Sequence, residues 1–207
     1  MFERRVNGQN FGVPPPTGSP LHPPPSQIVQ DFNLVALSFA LYWGAYELNE
    51  LLDPHAWYMQ GVSLIFLPAG IKLVMIMVAG WRGALGCGLA LLWLAARFWT
   101  GQPWSVLAAY AALSVVLTYG VVSWLLRRRA LGATLEGLRF WDIVSIDLVN
   151  TLLHGVVINL FWWSLGQRGA DALWSAALAM ALGDFLGSGA ILLLVLGSAH
   201  FLVPATR

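Results

Sequence analysis

Charged residues are scarce in this sequence, since Asp, Glu, Lys and Arg make up only 10% of its 207 residues. An average soluble domain carries about 25%. Hydrophobic residues make up 58%, and the mean hydropathy is +0.69. This balance is typical of an integral membrane protein. The net charge of +1 gives no reason to expect nucleic acid as a partner.

Cysteine is almost absent, because Cys87 is the single one in the sequence. One cysteine excludes an internal disulfide framework and a thiolate zinc site, and we expect Cys87 to be a small buried hydrophobic residue. The sequence also lacks a nucleophile with an adjacent base, a phosphate-binding loop and a cluster of metal ligands. We therefore expect a non-catalytic protein with no metal site, and the sequence indicates no particular cofactor.

Six stretches are candidate transmembrane helices, because a span needs about 20 predominantly apolar residues. They are residues 29–52, 56–80, 82–100, 104–126, 140–165 and 171–202. The expected fold is an all-α integral membrane bundle of about six transmembrane helices over 28–204, preceded by a proline-rich cytoplasmic arm over 1–27. The last stretch is too long for one upright span at about 1.5 Å per residue, so we expect it to tilt or to break near Gly187–Gly189.

The placement of Lys and Arg predicts the orientation, because cytoplasmic ends of spans carry an excess of both. One side of a six-span bundle receives Arg4, Arg5, Arg82, Arg127, Arg128, Arg129, Arg139 and Arg207, and the other receives Arg97 and Arg168. This bias predicts a multi-pass membrane protein with both termini in the cytoplasm. The candidate partner-binding residues are Phe2 and Phe11 of the arm and Arg127, Arg128 and Arg129 of the inner loop.

Lys72 is an ionisable residue within the second span, and such residues are costly at membrane depth. It follows Pro68 and Gly70, a pair that interrupts a helix and permits close backbone approach. Non-helical backbone at this depth is tolerated only where it is buried in protein or lines a cavity. Two alternatives stay open for Lys72: its long stem reaches the inner membrane surface, or its ammonium group belongs to an internal ion pair.

The fifth span carries a polar stripe of Asp147, Asn150, Thr151 and His154, at positions i, i+3, i+4 and i+7 of one helix face. Asp147 and His154 are about two turns apart, which is too far for a direct hydrogen bond. Three interpretations stay open for this stripe. It is a set of contacts that hold the helices together, the lining of a ligand pocket, or a site of proton or ion chemistry.

Asp184 lies near the middle of the sixth span, within Gly183-Asp184-Phe185-Leu186-Gly187. A carboxylate at this depth requires a partner. The candidates are Lys72, His154 and the backbone amides freed around Pro68 and Gly70. Any of these partners would join the second, fifth and sixth spans in one polar core.

The segment FLPAGIKLVMIMVAGWRGALGCGLA, followed later by the Gly-Asp-x-x-Gly element, resembles in order and spacing the first class of the bacterial membrane-associated sensor (MASE) family. The resemblance covers roughly residues 30–200 and implies a polytopic sensory module of the bacterial inner (cytoplasmic) membrane, of the kind that usually precedes a histidine kinase or diguanylate cyclase domain. It implies core or pocket roles for Pro68, Gly70, Gly183, Asp184 and Gly187. No output domain follows the last span in this sequence, so we expect the module to act through a separate membrane or signalling protein.

Two alternative functions remain beside sensory ligand binding. An accessory or structural subunit of a larger membrane complex would account for the 11 tryptophans, because Trp favours interfaces that are apolar at one end and polar at the other. A substrate-binding subunit of a small-molecule uptake system would also have about six spans and a pocket. Membrane lipids are expected partners in every case, and a small-molecule ligand is expected in the sensory and uptake cases.

Overall fold

The computed structural model of the chain describes residues 25–52, 57–59, 61–128 and 137–202. This part of the chain holds six helices and one short strand pair. The elements are α1 (Pro25–Leu52), β1 (Trp57–Met59), β2 (Val62–Ser63), α2 (Leu67–Ala79), α3 (Trp81–Phe98), α4 (Trp104–Arg128), α5 (Phe140–Ser164) and α6 (Leu173–Leu202). Residues 1–24 of the proposed arm, with Phe2 and Phe11, and Arg129 lie outside the described residues.

Three helices of the described chain are long and apolar enough to cross a membrane. They are α4, α5 and the Leu173–Val195 part of α6. The composition of α1 is less apolar because it contains Asp31, Asn33 and Glu47, and that of α3 because it contains Arg82 and Arg97. The all-α membrane class is thus supported by three helices, and the count of six spans is not.

The second expected span, residues 56–80, is described over 57–59 and 61–80, and of these residues only the second half is helical. Trp57–Met59 and Val62–Ser63 pair as antiparallel strands, and α2 begins at Leu67 with Pro68 in its first turn. Proline suits this position because backbone N–H groups in the first turn make no hydrogen bond within the helix, so its missing N–H costs nothing there. The fixed φ of proline is also close to the helical value. α2 is therefore a short apolar helix that begins where a non-helical segment ends.

The start of α2 is buried, and partners from two other helices satisfy its backbone. The side-chain oxygen of Asn49 in α1 accepts the Leu67 N–H at 3.0 Å, and Phe66 N–H donates to the carbonyl of Gly183 in α6 at 3.0 Å. A buried helix N-terminus needs such acceptors because its first N–H groups have none within the helix. α1, α2 and α6 are thus joined at this point.

We expect Asn49→Ala to lower the free energy of unfolding by about 1 kcal/mol, because the Leu67 N–H then stays buried without an acceptor. Thermal unfolding in a mild detergent measures the change. Asn49→Asp is the matched control, since it keeps an acceptor oxygen in the same place. Equal losses for the two variants would show that the hydrogen bond to Leu67 is not what Asn49 contributes.

α6 is a continuous helix through Gly187–Gly189, so the break considered for the sixth span is absent. The segment contains glycine and serine but no proline, and only proline removes a donor from the helical hydrogen-bond ladder. Ser188 Oγ donates to the carbonyl of Asp184 one turn earlier, at 2.8 Å, without interrupting the helix.

α2 packs against α1, α3, α4 and α6, and α5 packs against α4 and α6. One end of the bundle, here called the Trp162 end, holds the Trp99–Trp162 ring stack with centroids 4.0 Å apart and the Arg97–Glu47 ion pair of 2.6 Å. The opposite end, here called the Arg82 end, holds the Arg82–Asp31 ion pair of 2.6 Å. The polar residues of the bundle centre lie between these two ends.

Candidate functional site

Four side chains from four helices meet in the centre of the bundle, and we call them the polar cluster: Lys72 (α2), Ser114 (α4), His154 (α5) and Asp184 (α6). All four are buried. His154 Nδ1 lies 2.7 Å from Asp184 Oδ2. On the other side of the ring, His154 Nε2 lies 2.9 Å from Ser114 Oγ and 3.2 Å from Lys72 Nζ.

The chemistry of the partners assigns the hydrogens of this cluster. A carboxylate only accepts, so His154 Nδ1 donates to Asp184, and Nε2 of the neutral ring accepts from the other side. The Lys72 ammonium donates to Ser114 Oγ at 3.1 Å, which leaves the serine hydroxyl to donate to Nε2. The imidazole therefore lies between the Lys72 amine and the Asp184 carboxyl group and bonds on both sides.

Of the two alternatives for Lys72, the structure places the ammonium inside the bundle. The residue is 2% exposed, and its partners Ser114 and His154 are buried too. Asp184 contacts His154 directly and reaches Lys72 only through the imidazole ring. The amide near Pro68, that of Phe66, bonds to the carbonyl of Gly183 and not to the Asp184 side chain.

Sequence reasoning missed Ser114, which completes the cluster from the fourth helix. A weak signal was available, because Ser114 and Thr118 are spaced i, i+4 in an otherwise apolar stretch, and both are buried. Thr118 Oγ1 donates to the carbonyl of Ser114 at 3.0 Å, so only Ser114 has its side chain in the cluster.

The rest of the polar stripe of α5 is buried but stands apart from the polar cluster. Thr151 Oγ1 donates to the carbonyl of Leu148 in its own helix at 3.2 Å. The Oδ1 atoms of Asp147 and Asn150 have no hydrogen-bond partner within the described part of the chain. All four residues of the stripe are buried, and His154 is the one whose side chain hydrogen-bonds to Asp184.

The glycines implied by the family resemblance lie where backbones meet closely. A Cβ on Gly183 or Gly187 would overlap the backbone of Ser63 or Phe66, the segment that leads into α2. A Cβ on Gly70 would come within 2.7 Å of the Ile191 side chain in α6. The Gly-Asp-x-x-Gly element therefore forms a shallow groove on α6, which holds the non-helical segment beside Asp184.

A cavity of about 50 Å³ lies between the polar cluster and the Trp162 end. His154 and Asp184 line it at one side. Five of its other lining residues are aromatic: Tyr46, Phe66, Phe98, Trp99 and Tyr110. Since a buried water needs roughly 10–15 Å³ of such volume, the cavity holds a few water molecules or a ligand of a few non-hydrogen atoms.

A second cavity of about 280 Å³ adjoins the first at the Trp162 end. The two share Tyr46, Leu94 and Phe98 as lining residues. Glu47, Glu50 and Arg97 supply its charged groups. The three shared side chains therefore border both cavities.

Asp184, His154 and Ser114 follow the acid–histidine–hydroxyl order of hydrolytic triads. The serine differs in its surroundings, however, since Ser114 is not among the residues that line the cavity and its oxygen also accepts from Lys72. A molecule in the cavity meets the imidazole and the carboxylate but not the hydroxyl. The described residues contain no group of three or more His, Cys, Asp or Glu arranged to hold a metal ion.

Two of the candidate partner-binding arginines, Arg127 and Arg128, are exposed at the end of α4. Arg127 Nε donates to the carbonyl of Ser123 at 3.2 Å, and the Arg128 guanidinium lies 4.4 Å from the Trp124 ring centroid. Both arginines are at the C-terminal end of α4, whereas the cavity is lined by Tyr110 near the N-terminal end of this helix.

No protein family matches this sequence, and no curated protein or solved structure was found to match it. The resemblance to the MASE sensor family therefore stays a prediction that depends on the quoted motifs.

Proposed function

We propose that this chain is a non-catalytic, multi-pass protein of the bacterial inner membrane that binds a small molecule in the cavity beside His154 and Asp184. Binding changes the polar cluster, and a separate membrane or signalling protein detects that change. The observation that carries this proposal is the cavity itself, which places a buried imidazole and carboxylate in an aromatic wall. Concave, mostly apolar sites with a few convergent polar groups are typical of ligand pockets.

The position of the polar cluster supports a role in coupling ligand binding to movement of the helices. Lys72, Ser114, His154 and Asp184 each come from a different helix, so a ligand that moves one of them acts on α2, α4, α5 and α6 together. A ligand shifts a conformational equilibrium only through contacts that differ between the two states. In this proposal, the bound molecule contacts the His154–Asp184 pair in one state and loses that contact in the other.

For the membrane arrangement, we propose that α1, α3 and the segment from β1 to the end of α2 also cross the bilayer. At about 1.5 Å per residue, the 28 residues of α1 extend roughly 42 Å and the 18 residues of α3 roughly 27 Å. The Arg82 end then lies in the cytoplasm, because Arg82, Arg127, Arg128 and Arg139 cluster there.

Affinity purification from the native membrane in a gentle detergent, with mass spectrometry of proteins and small molecules together, tests the proposal. We expect a bound small molecule, and we expect a His154→Phe variant to lose it, because phenylalanine keeps the ring shape but not the hydrogen bonds. The matched control is Trp163→Phe, an exposed aromatic change on the same helix. Stoichiometric recovery within a large membrane complex, with no small molecule, would instead support an accessory or structural subunit.

A further inference from the structure

The polar cluster already uses both ring nitrogens of His154, and this limits what a molecule in the adjoining cavity can bond to. Nδ1 is engaged with Asp184, and Nε2 is engaged with Ser114 and Lys72. A molecule in the cavity therefore contacts the imidazole ring without a nitrogen left to bond to it. The hydrogen bonds of the ligand must come from other atoms of the wall.

Three side chains of the cavity wall have an oxygen that the described structure leaves open. Asp184 uses Oδ2 in its bond to the imidazole, and its Oδ1 makes no hydrogen bond within the described residues. The hydroxyl groups of Tyr46 and Tyr110, which line the same cavity, likewise have no hydrogen-bond partner in that part of the chain. Ser63 Oγ is already used, since it donates to the carbonyl of Ile65 at 2.7 Å. The wall thus offers one acceptor oxygen and two hydroxyls that can donate.

The wall favours a neutral ligand over a charged one. None of the described residues that line the cavity is a lysine or an arginine, so an anionic ligand would meet the Asp184 carboxyl group without a balancing cation. That carboxyl group belongs to the network that contains the Lys72 amine, so it does not require a cation from the ligand either.

The size and the aromatic lining of the cavity favour a small planar molecule. The volume of about 50 Å³ admits only a few non-hydrogen atoms. Flat groups make the largest contact with aromatic rings, and five aromatic side chains line this cavity.

We propose that the ligand of this cavity is a small neutral amide, of the class of primary carboxamides and ureas. The amide N–H donates to Asp184 Oδ1, and the amide carbonyl accepts from the hydroxyl of Tyr110, which lines this cavity and not the outer one. The planar group packs against the aromatic wall. This inference rests on the proposed function, the binding of a small molecule here, and names the class of that molecule.

Saturation-transfer NMR on the purified full chain in a mild detergent tests the class with four small probes: acetamide, acetone, acetate and methylammonium. Acetone has the shape of acetamide but no N–H, acetate carries a negative charge, and methylammonium carries a positive charge and has no carbonyl. We expect acetamide to bind at least about fivefold more tightly than each of the others, because each of them loses at least one hydrogen bond.

The pattern across the probes separates this inference from the proposed function. Equal or tighter binding of acetone, acetate or methylammonium would overturn the amide assignment alone, since the cavity would still bind a small molecule. No binding of acetamide would also overturn the amide assignment. The proposed function would fail with it only if the protein purified from its native membrane carried no small molecule either.

Tyr110→Phe tests where the amide binds, because it keeps the ring and removes the hydroxyl. We expect acetamide binding to weaken about fivefold and methylammonium binding, which involves no carbonyl, to stay the same. Tyr119→Phe on the same helix is the matched control, since Tyr119 is not among the residues that line the cavity. Equal acetamide binding in wild type and Tyr110→Phe would overturn the proposal, because the carbonyl would then lack the partner assigned to it.

Discussion

Asp184→Leu is expected to lower the free energy of unfolding by about 3–5 kcal/mol, the usual cost of removing one partner from a buried network of ionisable groups. The leucine leaves the His154 Nδ1–H without an acceptor and the Lys72 ammonium without a balancing charge. Asp184→Asn should cost clearly less, because its amide oxygen still accepts from Nδ1. Thermal unfolding in a mild detergent, with size-exclusion chromatography to follow the folded fraction, measures both variants.

Asp171→Leu is the control for this experiment, since Asp171 is exposed in the loop between α5 and α6. We expect its free energy of unfolding to change by less than about 0.5 kcal/mol. Equal Tm values for wild type, Asp184→Asn and Asp184→Leu would contradict the central position that the structure gives to this carboxylate. A further variant, Lys72→Met, should partly compensate Asp184→Leu, because it removes the cation that the leucine leaves unbalanced.

The sequence predicted the existence of the polar core through the cost of burying charge. Lys72, His154 and Asp184 stand out in apolar stretches, and that cost requires them to face inward and to find partners. Helical spacing also predicted that Asp147 would share a face with His154. Spacing along one helix says nothing of what the neighbouring helices contribute, so the different surroundings of Asp147 and His154 required the structure.

Two parts of the core were not predictable, for different reasons. Ser114 is a neutral residue of moderate polarity, and such residues occur in transmembrane helices without any functional role. Asn49 lies between Glu47 and Glu50 near the end of α1, and its side chain reaches across to the first turn of α2. A contact of this kind depends on where α2 begins in space, and a hydropathy pattern does not contain that information.

The second span was expected to be helical from residue 56, but α2 begins at Leu67. The expectation was wrong because an apolar stretch is not necessarily a helical one. Residues 57–66 are apolar enough to resemble part of a span, yet those that the structure describes, 57–59 and 61–66, form a strand pair and an irregular segment. Their backbone groups need partners that a helix would have supplied internally. α6 supplies one at the carbonyl of Gly183, and the absence of side chains at Gly183 and Gly187 lets the segment approach.

Gly187→Val is therefore expected to have the other large effect, a loss of at least about 3 kcal/mol or of the folded protein altogether. The new Cβ would overlap the backbone of Phe66, and backbone held at both ends cannot move aside as a flexible side chain can. Gly189→Val, two residues further along the same helix, is the matched control, because a Cβ there meets nothing within 4 Å. Both changes replace a helical glycine with the same β-branched residue, so helix propensity cancels in the comparison.

Equal unfolding temperatures for the two variants would mean that the segment before α2 does not lie in the groove of α6, and that Asp184 has its partners by some other arrangement of the chain. A selective loss in Gly187→Val would connect the spacing of the Gly-Asp-x-x-Gly element to a physical need: two glycines one turn apart admit the segment, and the carboxylate beside them bonds to the imidazole of α5.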